Sequence, residues 1–357
     1  MISTQPKDDF SKDFICSPSD SPTDSISCFS WTRSSTAFAC ASWDSTVRLF
    51  SFQEGVPCFK LEKKFELPDP CLSLDFAREF VLGGCIDGTI KIFDPVGSRV
   101  ISMEENPEHQ DAVKSVHWLE QEQMYVSLSY DKTMKFWDLR QKSSIKTEKL
   151  EAKPFCSDKH FQEKVIAVGF DDGRVGVLDL DEQQSLMSLK WNFIPQPFHN
   201  VEKITDISMF GAWGALGFGV ASDWGRGGLY ELTRSRDGGG LQEKKIMVFK
   251  AHKQWLQQPQ KELLYPMNAI GMHQSSKNLF TAGGEGNIYL WNYEQKHKTG
   301  TISLGGTPVT KAKFNPDCSL ILYANGYDYA KGIEGAYSYN TRIGVHKVKP
   351  EELRAQN

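Results

Sequence analysis

The stretch SYDKTMKFWDLRQ, residues 129–141, joins a short polar turn, Tyr130-Asp131-Lys132-Thr133, to an apolar-alternating run that ends on an aromatic and an acid. The phrase recurs as ASWDSTVRLF (41–50), GCIDGTIKIF (84–93), FDDGRVGVL (170–178), SDWGRGGLY (222–230) and GGEGNIYLW (283–291). Each copy has small residues, an acid in a tight turn and a short strand. With Asp44, Asp87, Asp131, Asp172, Asp223 and Glu285 as anchors the steps are 43, 44, 41, 51 and 62, and Asp328 lies 43 beyond Glu285. A period of this size marks four-stranded propeller blades, and the two long steps read as insertions within blades.

Working upstream from each anchor, two more strands appear. SISCFSW, CLSLDFA, AVKSVHWL and VTKAKFNP each precede a second apolar run, TAFACAS, EFVLGGC, MYVSLS and LILYANG. Alternation at period two with turn residues between the runs predicts antiparallel strands, and no long amphipathic helix is expected. The reading is therefore all-β: one seven-bladed propeller over 1–357. Its blades are expected at 25–67, 70–103, 109–150, 152–192, 200–250 with an insertion continuing to 264, 265–303 and 307–348, with a tail at 349–357. One blade cannot bury both faces, so the blades must close into a ring. The segment KDFIC (12–16) is expected to supply the outermost strand of the last blade, beside TRIGVHKV (341–348).

Composition narrows the function classes. Hydrophobic residues make up 39% and charged residues 24%, which suits a chain that buries a large core. With 41 basic and 45 acidic residues the net charge is -4, so no general pull towards nucleic acid or an anionic membrane exists. The opening MISTQPKDDFSKDF is too acidic and polar for a secretory signal, and no apolar run reaches membrane-spanning length, which predicts an intracellular chain without membrane insertion. The eight cysteines, Cys16, Cys28, Cys40, Cys58, Cys71, Cys85, Cys156 and Cys318, form no C-x-x-C pair and have no histidine at zinc-ligand offsets. They read as small buried hydrophobes, with no metal and no cofactor expected.

In the third repeat His109, Ser127, Asp131 and Trp137 occupy positions at which such repeats link a loop histidine, a strand hydroxyl, a turn carboxylate and an indole N–H. This is expected to be a structural polar network. A Ser-His-Asp catalytic triad is the rival reading, but the serine lies inside a strand and no nucleophile-elbow motif accompanies it. RDGGG (236–240) lacks the order of a phosphate-cradling loop. No catalytic residues are assigned.

The phrases together resemble the WD-repeat proteins of the mRNA-export (Rae/Gle) and mitotic-checkpoint (Bub) type. SPTDSISCFSW, EHQDAVKSVHW, SYDKTMKFWDLR, FKAHK with YPMNAIGMH, and FNPDCSLILYANGYDYAKGIEG followed by KPEELRAQN carry the likeness across nearly the whole chain. The start, the third blade, PFCSD (154–158) and the tail lean to the export branch, and SWDSTVRLF leans to the checkpoint branch. The resemblance implies a non-enzymatic adaptor, monomeric on its own, that grips a short glutamate-containing linear motif of a nucleoporin-type partner at the nuclear pore. In the checkpoint branch the partner would be a checkpoint kinase at kinetochores. It implies residence in the nucleus and nuclear envelope, with some in the cytoplasm.

Carried over by motif, the partner-peptide residues are Arg226 in SDWGR, Lys203 in EKITDISMF, Phe249 and Lys250 in FKAHK, and Trp291. Two positions depart from the family pattern: Trp224 stands where it has glutamate, and Lys203 where it usually has arginine, whose planar fork a lysine cannot reproduce. A third reading, direct RNA binding, rests on Lys244, Lys245, Lys250, Lys253 and nearby Trp255, against which stand Glu243, Glu262 and the negative net charge.

Overall fold

The recurring turn is the unit from which the molecule is built. In six blades the chain reverses through a four-residue turn closed by a backbone bond, as in Lys132 N–H to Ser129 C=O (3.1 Å) and Gly173 N–H to Phe170 C=O (3.1 Å). The last residue of each turn is left-handed, with φ of 60° at Ser45, 81° at Gly88 and 65° at Lys132. The turn carboxylate pays for that conformation locally: Asp44, Asp87 and Asp131 each accept from the hydroxyl and the backbone N–H of the threonine two residues on. A second backbone bond ties the turn to the loop that enters the same blade, through Trp43 to Ser25, Ile86 to Pro70, Tyr130 to Ala112, Asp171 to Lys153, Asp223 to Lys203, Gly284 to Pro266 and Gly326 to Pro308. Turn and loop thereby form one rim of the ring.

The computed structural model describes residues 13–354 except 53–58, 103–107, 142, 161–163, 181–188, 195–196, 199–201, 213–214, 236–239, 257–259 and 330–339. Cys58, most of RDGGG and most of YDYAKGIEG fall outside the described residues. Seven four-stranded antiparallel sheets follow in chain order. They run from Ile26–Trp31 to Phe59–Glu66, Cys71–Ala77 to Arg99–Ser102, Val113–Leu119 to Ser144–Lys149, Pro154–His160 to Lys190–Ile194, Ile204–Ala212 to Leu241–Lys250 and Met267–Met272 to His297–Ser303. The seventh combines Val309–Phe314, Leu320–Asn325 and Arg342–Lys347 with Phe14–Ile15. A hairpin, Lys253–Leu256 with Lys261–Leu264, projects between the fifth and sixth blades. The fold is the predicted seven-bladed β-propeller, and the N-terminal strand does pair into the last sheet, with Phe14 opposite Val345 and Ile15 opposite Gly344.

Each innermost strand touches the next around the ring, and the last touches the first. Between neighbouring sheets lie apolar layers such as Phe38, Phe50 and Phe59 with Leu322 and Val345, which joins blades one and seven. Every innermost strand also carries an irregularity after its first residue, between Val113 and Ser115 in blade three and at the equivalent place in the other six. These strands are edges, with backbone groups no strand can satisfy. Side chains from the neighbouring blade do so instead. Ser73 Oγ and Asp75 Oδ2 accept from Val116 and Trp118 N–H at 3.0 and 2.7 Å, Asp158 accepts from Met209 (2.8 Å), Asp206 from Ile270 (3.0 Å) and Ser208 from Met272 (3.1 Å).

The closure carries its own polar clasp. Tyr323 O–H donates to Asp13 Oδ2 (2.8 Å), while His346 meets Asp13 Oδ1 through Nδ1 (2.7 Å) and Glu352 Oε2 through Nε2 (3.1 Å). Glu352 belongs to a single 3-10 turn, Pro350–Leu353, and also accepts from Lys349 N–H (2.9 Å). Burial would lower His346, but the two carboxylates outweigh it and raise the imidazole to about 9. One protonated ring thus holds the first described segment to the last.

Candidate protein-interaction face

The network expected in blade three is assembled as a directional chain. Trp137 Nε1–H donates to Ser127 Oγ (2.8 Å), Ser127 Oγ lies 2.7 Å from His109 Nε2, and His109 Nδ1 lies 2.9 Å from Asp131 Oδ2. Burial lowers the His109 pKa despite its carboxylate neighbour, so the ring is neutral at neutral pH. Neutral imidazole has one donor and one acceptor, and both are used: Nδ1–H towards Asp131, Nε2 from the serine hydroxyl. Burial raises Asp131, yet bonds from Thr133, Gln110 N–H and His109 outweigh it and hold the carboxyl below the usual range. Ser127 is wholly inaccessible (0% exposed) and Trp137 stacks on Tyr125 at 5.7 Å, so no substrate can reach this hydroxyl.

Blade six holds a second version of that chain, which the sequence reading did not identify. Trp291 Nε1–H donates to Thr281 Oγ1 (3.0 Å), and His252 Nδ1 lies 2.5 Å from Glu285 Oε1. His252 Nε2 has no partner, so the link between ring and hydroxyl is open. Its sequence signal was the repeat spacing Thr281-Glu285-Trp291 matching Ser127-Asp131-Trp137, but the hairpin over 253–264 separates His252 from its inner strand. Trp291 is therefore half-buried in the blade and packs on Phe249 at 5.2 Å, across the seam between blades five and six.

Blade five departs from the rule of the turn. Gly225 N–H closes on Ser222 C=O (3.2 Å), which places Trp224 where the other turns carry their acid. The anchor Asp223 is thus one residue out of register, and the turn has lost its carboxylate acceptor. Charge is supplied from the incoming loop instead. Glu202, with its side chain 0% exposed, takes Ser222 Oγ–H on Oε2 (2.7 Å) and faces Arg226 Nε with Oε1 at 3.2 Å. Arg226 is fixed at its base by this buried acid, with its side chain 21% exposed.

Around Arg226 the structure gathers several of the residues singled out by sequence. Arg226 stands opposite Lys250 in the sheet, and Lys203 exchanges bonds with Asp223 through both main-chain groups: its N–H reaches Asp223 Oδ1 (3.2 Å) and its C=O accepts Asp223 N–H (3.1 Å). Lys203 and Lys250 are exposed and make no ion pair among the described residues. Trp224 (50% exposed) lies beside them, and Trp255 (62%) stands on the hairpin that follows. Trp43, Ile86 and Tyr329 are exposed at the turns of other blades, so the rim carries apolar side chains among its charged ones. Lys253, by contrast, is paired with Glu262 (2.9 Å) and Lys244 with Glu231 (3.7 Å), which consumes part of the basic stretch. Among the described residues no group of three or more His, Cys, Asp or Glu side chains could hold a metal ion, and no helix is long and apolar enough to cross a membrane.

Comparison with known proteins agrees with this geometry. The family described as "WD domain, G-beta repeat" matches residues 15–51 and 102–138. The chain is 25% identical over 343 residues to the WD40 repeat protein poxJ of Penicillium oxalicum, covering 94% of each. It is 25% identical to the mitotic checkpoint protein bub3 of Dictyostelium discoideum (93% of this chain, 94% of the relative) and 26% identical to the mRNA export factor GLE2 of Chaetomium thermophilum (88% and 84%). The solved structure of U3-55K superposes with a TM-score of 0.74 at 15% identity, over 94% of this chain and 98% of that one, which speaks for the fold. This chain is a seven-bladed β-propeller, two segments of which match the WD-repeat model, and its relatives include a WD40 repeat protein, mRNA-export proteins and mitotic-checkpoint proteins.

Proposed function

We propose that the blade-five rim captures a short acidic linear motif, and that the protein serves as an adaptor in mRNA export at the nuclear pore. The observation that carries the reading is the cluster of Lys203, Lys250 and Arg226 beside the exposed Trp224: two exposed lysines that make no ion pair among the described residues and an arginine held by a buried acid, next to apolar surface. A partner glutamate would meet the lysines as point charges and the outer edge of the guanidinium that Glu202 holds in place. Phe249, which precedes Lys250, packs on Trp291 across the neighbouring seam, and both rings are taken as part of the same contact surface. A preformed ring loses little entropy on binding, while the captured segment loses more, so the contact would be specific and reversible. The relatives include both an mRNA export factor and a mitotic checkpoint protein; the acidic-motif partner rests on the motif resemblance and the rim cluster, and the export assignment on the sequence phrases near the start, third blade and tail. On this reading the protein works in the nucleus and at the nuclear envelope.

The experiment is a titration of the protein against labelled acidic peptides from nucleoporin-type and checkpoint-kinase segments, with Lys203→Glu and Lys250→Glu as variants. Both lysines are exposed, so these changes leave folding intact. Tight binding of the nucleoporin-type peptide, weakened about tenfold or more by each reversal, is expected. Equal binding by wild type and variants removes the rim from the site, and preference for the kinase segment moves the protein to the checkpoint branch. Arg226→Glu is the poorer test, because it sets a second acid against buried Glu202.

A further inference from the structure

The ring encloses a central cavity of about 680 Å³ lined by the innermost strands. Its charges are unevenly answered. The three carboxylates have fixed duties: Asp75 takes Trp118 N–H and the Lys159 ammonium, Asp158 takes Met209 N–H, and Asp206 takes Ile270 N–H. Lys159 is therefore paired, and it also donates to Trp118 C=O (2.5 Å). Lys114, Lys311 and Lys313 line the same space and make no hydrogen bond or ion pair among the described residues.

Register places these three usefully. Lys311 and Lys313 alternate on one strand of blade seven and so project to the same side. Lys114 is the extra residue of the irregularity in blade three, which stands across the ring from blade seven. Two walls of the cavity thus present ammonium groups towards each other. Burial, and next the charge of Lys311, hold Lys114 down at about 8, while burial pushes Asp206 up to about 6 although Lys311 draws it down. His117 is held low, at about 3, by burial and the Lys159 charge, so it adds no positive charge at neutral pH. Asp206 draws Lys114 back up, and Lys313 draws Asp158 down against the burial that raises it, so these two carboxylates answer part of the charge, and the three lysines still outnumber them.

We infer that the central cavity binds a compact oligophosphate-class anion, bridged between Lys114 on one wall and Lys311 with Lys313 on the other. A multivalent anion suits the arrangement because a monovalent one answers only one wall, and lysines act on phosphate as point charges that need no planar fork. The site is separate from the blade-five rim and does not depend on its reading.

Isothermal titration of the full chain with inorganic tripolyphosphate, and separately with inositol hexakisphosphate, tests the inference against a chloride blank of equal ionic strength. One anion per chain is expected, with Lys114→Gln and Lys311→Gln each weakening binding about tenfold or more. Lys114→Gln removes a charge that burial disfavours, so thermal melting should show that variant at least as stable as wild type without anion. Preference for one probe over the other distinguishes a free inorganic chain from a phosphorylated polyol, and either supports the site. Lys60→Gln, an exposed lysine on the outer strand of blade one, controls for general charge. No binding to either probe, or loss through Lys60→Gln equal to that through Lys311→Gln, overturns it.

Discussion

Replacing His346 and varying pH should reveal how strongly the clasp seals the ring. The imidazole bridges Asp13 and Glu352 and is raised from the ordinary 6.5 to about 9. Between those values the folded chain holds a proton that the unfolded chain has released. The stabilisation is therefore complete below about pH 6.5 and is lost as pH rises through about 9. A rise from 6.5 to about 9 corresponds to about 3 kcal/mol when converted at 1.36 kcal/mol per pH unit. Little solvent screens it, since the histidine side chain is 9% exposed and Asp13 4%.

Lys114 works in the opposite sense. Its lowered folded value means the unfolded chain binds the extra proton above about 8, so that residue gains stability with rising pH. The wild-type curve alone would mix the two. The difference between wild type and His346→Gln, from urea unfolding followed by tryptophan fluorescence at about pH 6 and about pH 9.5, cancels the Lys114 contribution. That difference should shrink by about 2–3 kcal/mol across the interval. A gap that stays constant within about 0.5 kcal/mol would refute the idea that a protonated ring fastens the two ends.

Other outcomes follow from the same contacts. Ser127→Ala strands the His109 ring and the Trp137 N–H inside blade three, at a cost of about 1–3 kcal/mol that a melting curve would register as a lower Tm. Gly344→Ala puts a methyl group 2.3 Å from the Tyr323 ring, the side chain that holds Asp13, and should destabilise by about 1–3 kcal/mol in urea unfolding. Burial raises the thiols of Cys16 and Cys318 to about 11 and pushes those of Cys40 and Cys156 higher still, so an aromatic disulfide reagent at neutral pH should label these four only after unfolding.

The blades were legible because their turns are chemical statements: an acid, then a residue held in left-handed backbone, then a polar side chain two positions beyond the acid. Where that statement is altered the reading slips, as at Asp223, whose neighbour Trp224 holds the turn position while Glu202 provides the acid from another segment. The network of blade three could be read because His109 lies close before its strand. That of blade six could not, since a hairpin intervenes after His252. Trp291, assigned to partner contact by resemblance, is tied to Thr281 by its N–H, a bond visible only once the strands are paired. The Asp13–His346 bond joins residues far apart in sequence within one blade, the cavity lysines come from different blades, and no local pattern announces either arrangement. For the rim, Arg226, Lys203 and Lys250 could be named from motifs, but the buried glutamate that orients Arg226 needed coordinates.

Sharing one sheet between Phe14–Ile15 and Arg342–Lys347 has a consequence for biosynthesis. Early blades can stack as they leave the ribosome, yet the strand Phe14–Ile15 has no partner until the seventh blade has been made. During that wait the first blade exposes the apolar flank that Leu322 and Val345 later cover. A nascent chain stalled in the last blade would be a half-shut bracelet, sticky along one seam, and a substrate for chaperones rather than a smaller working version of the protein.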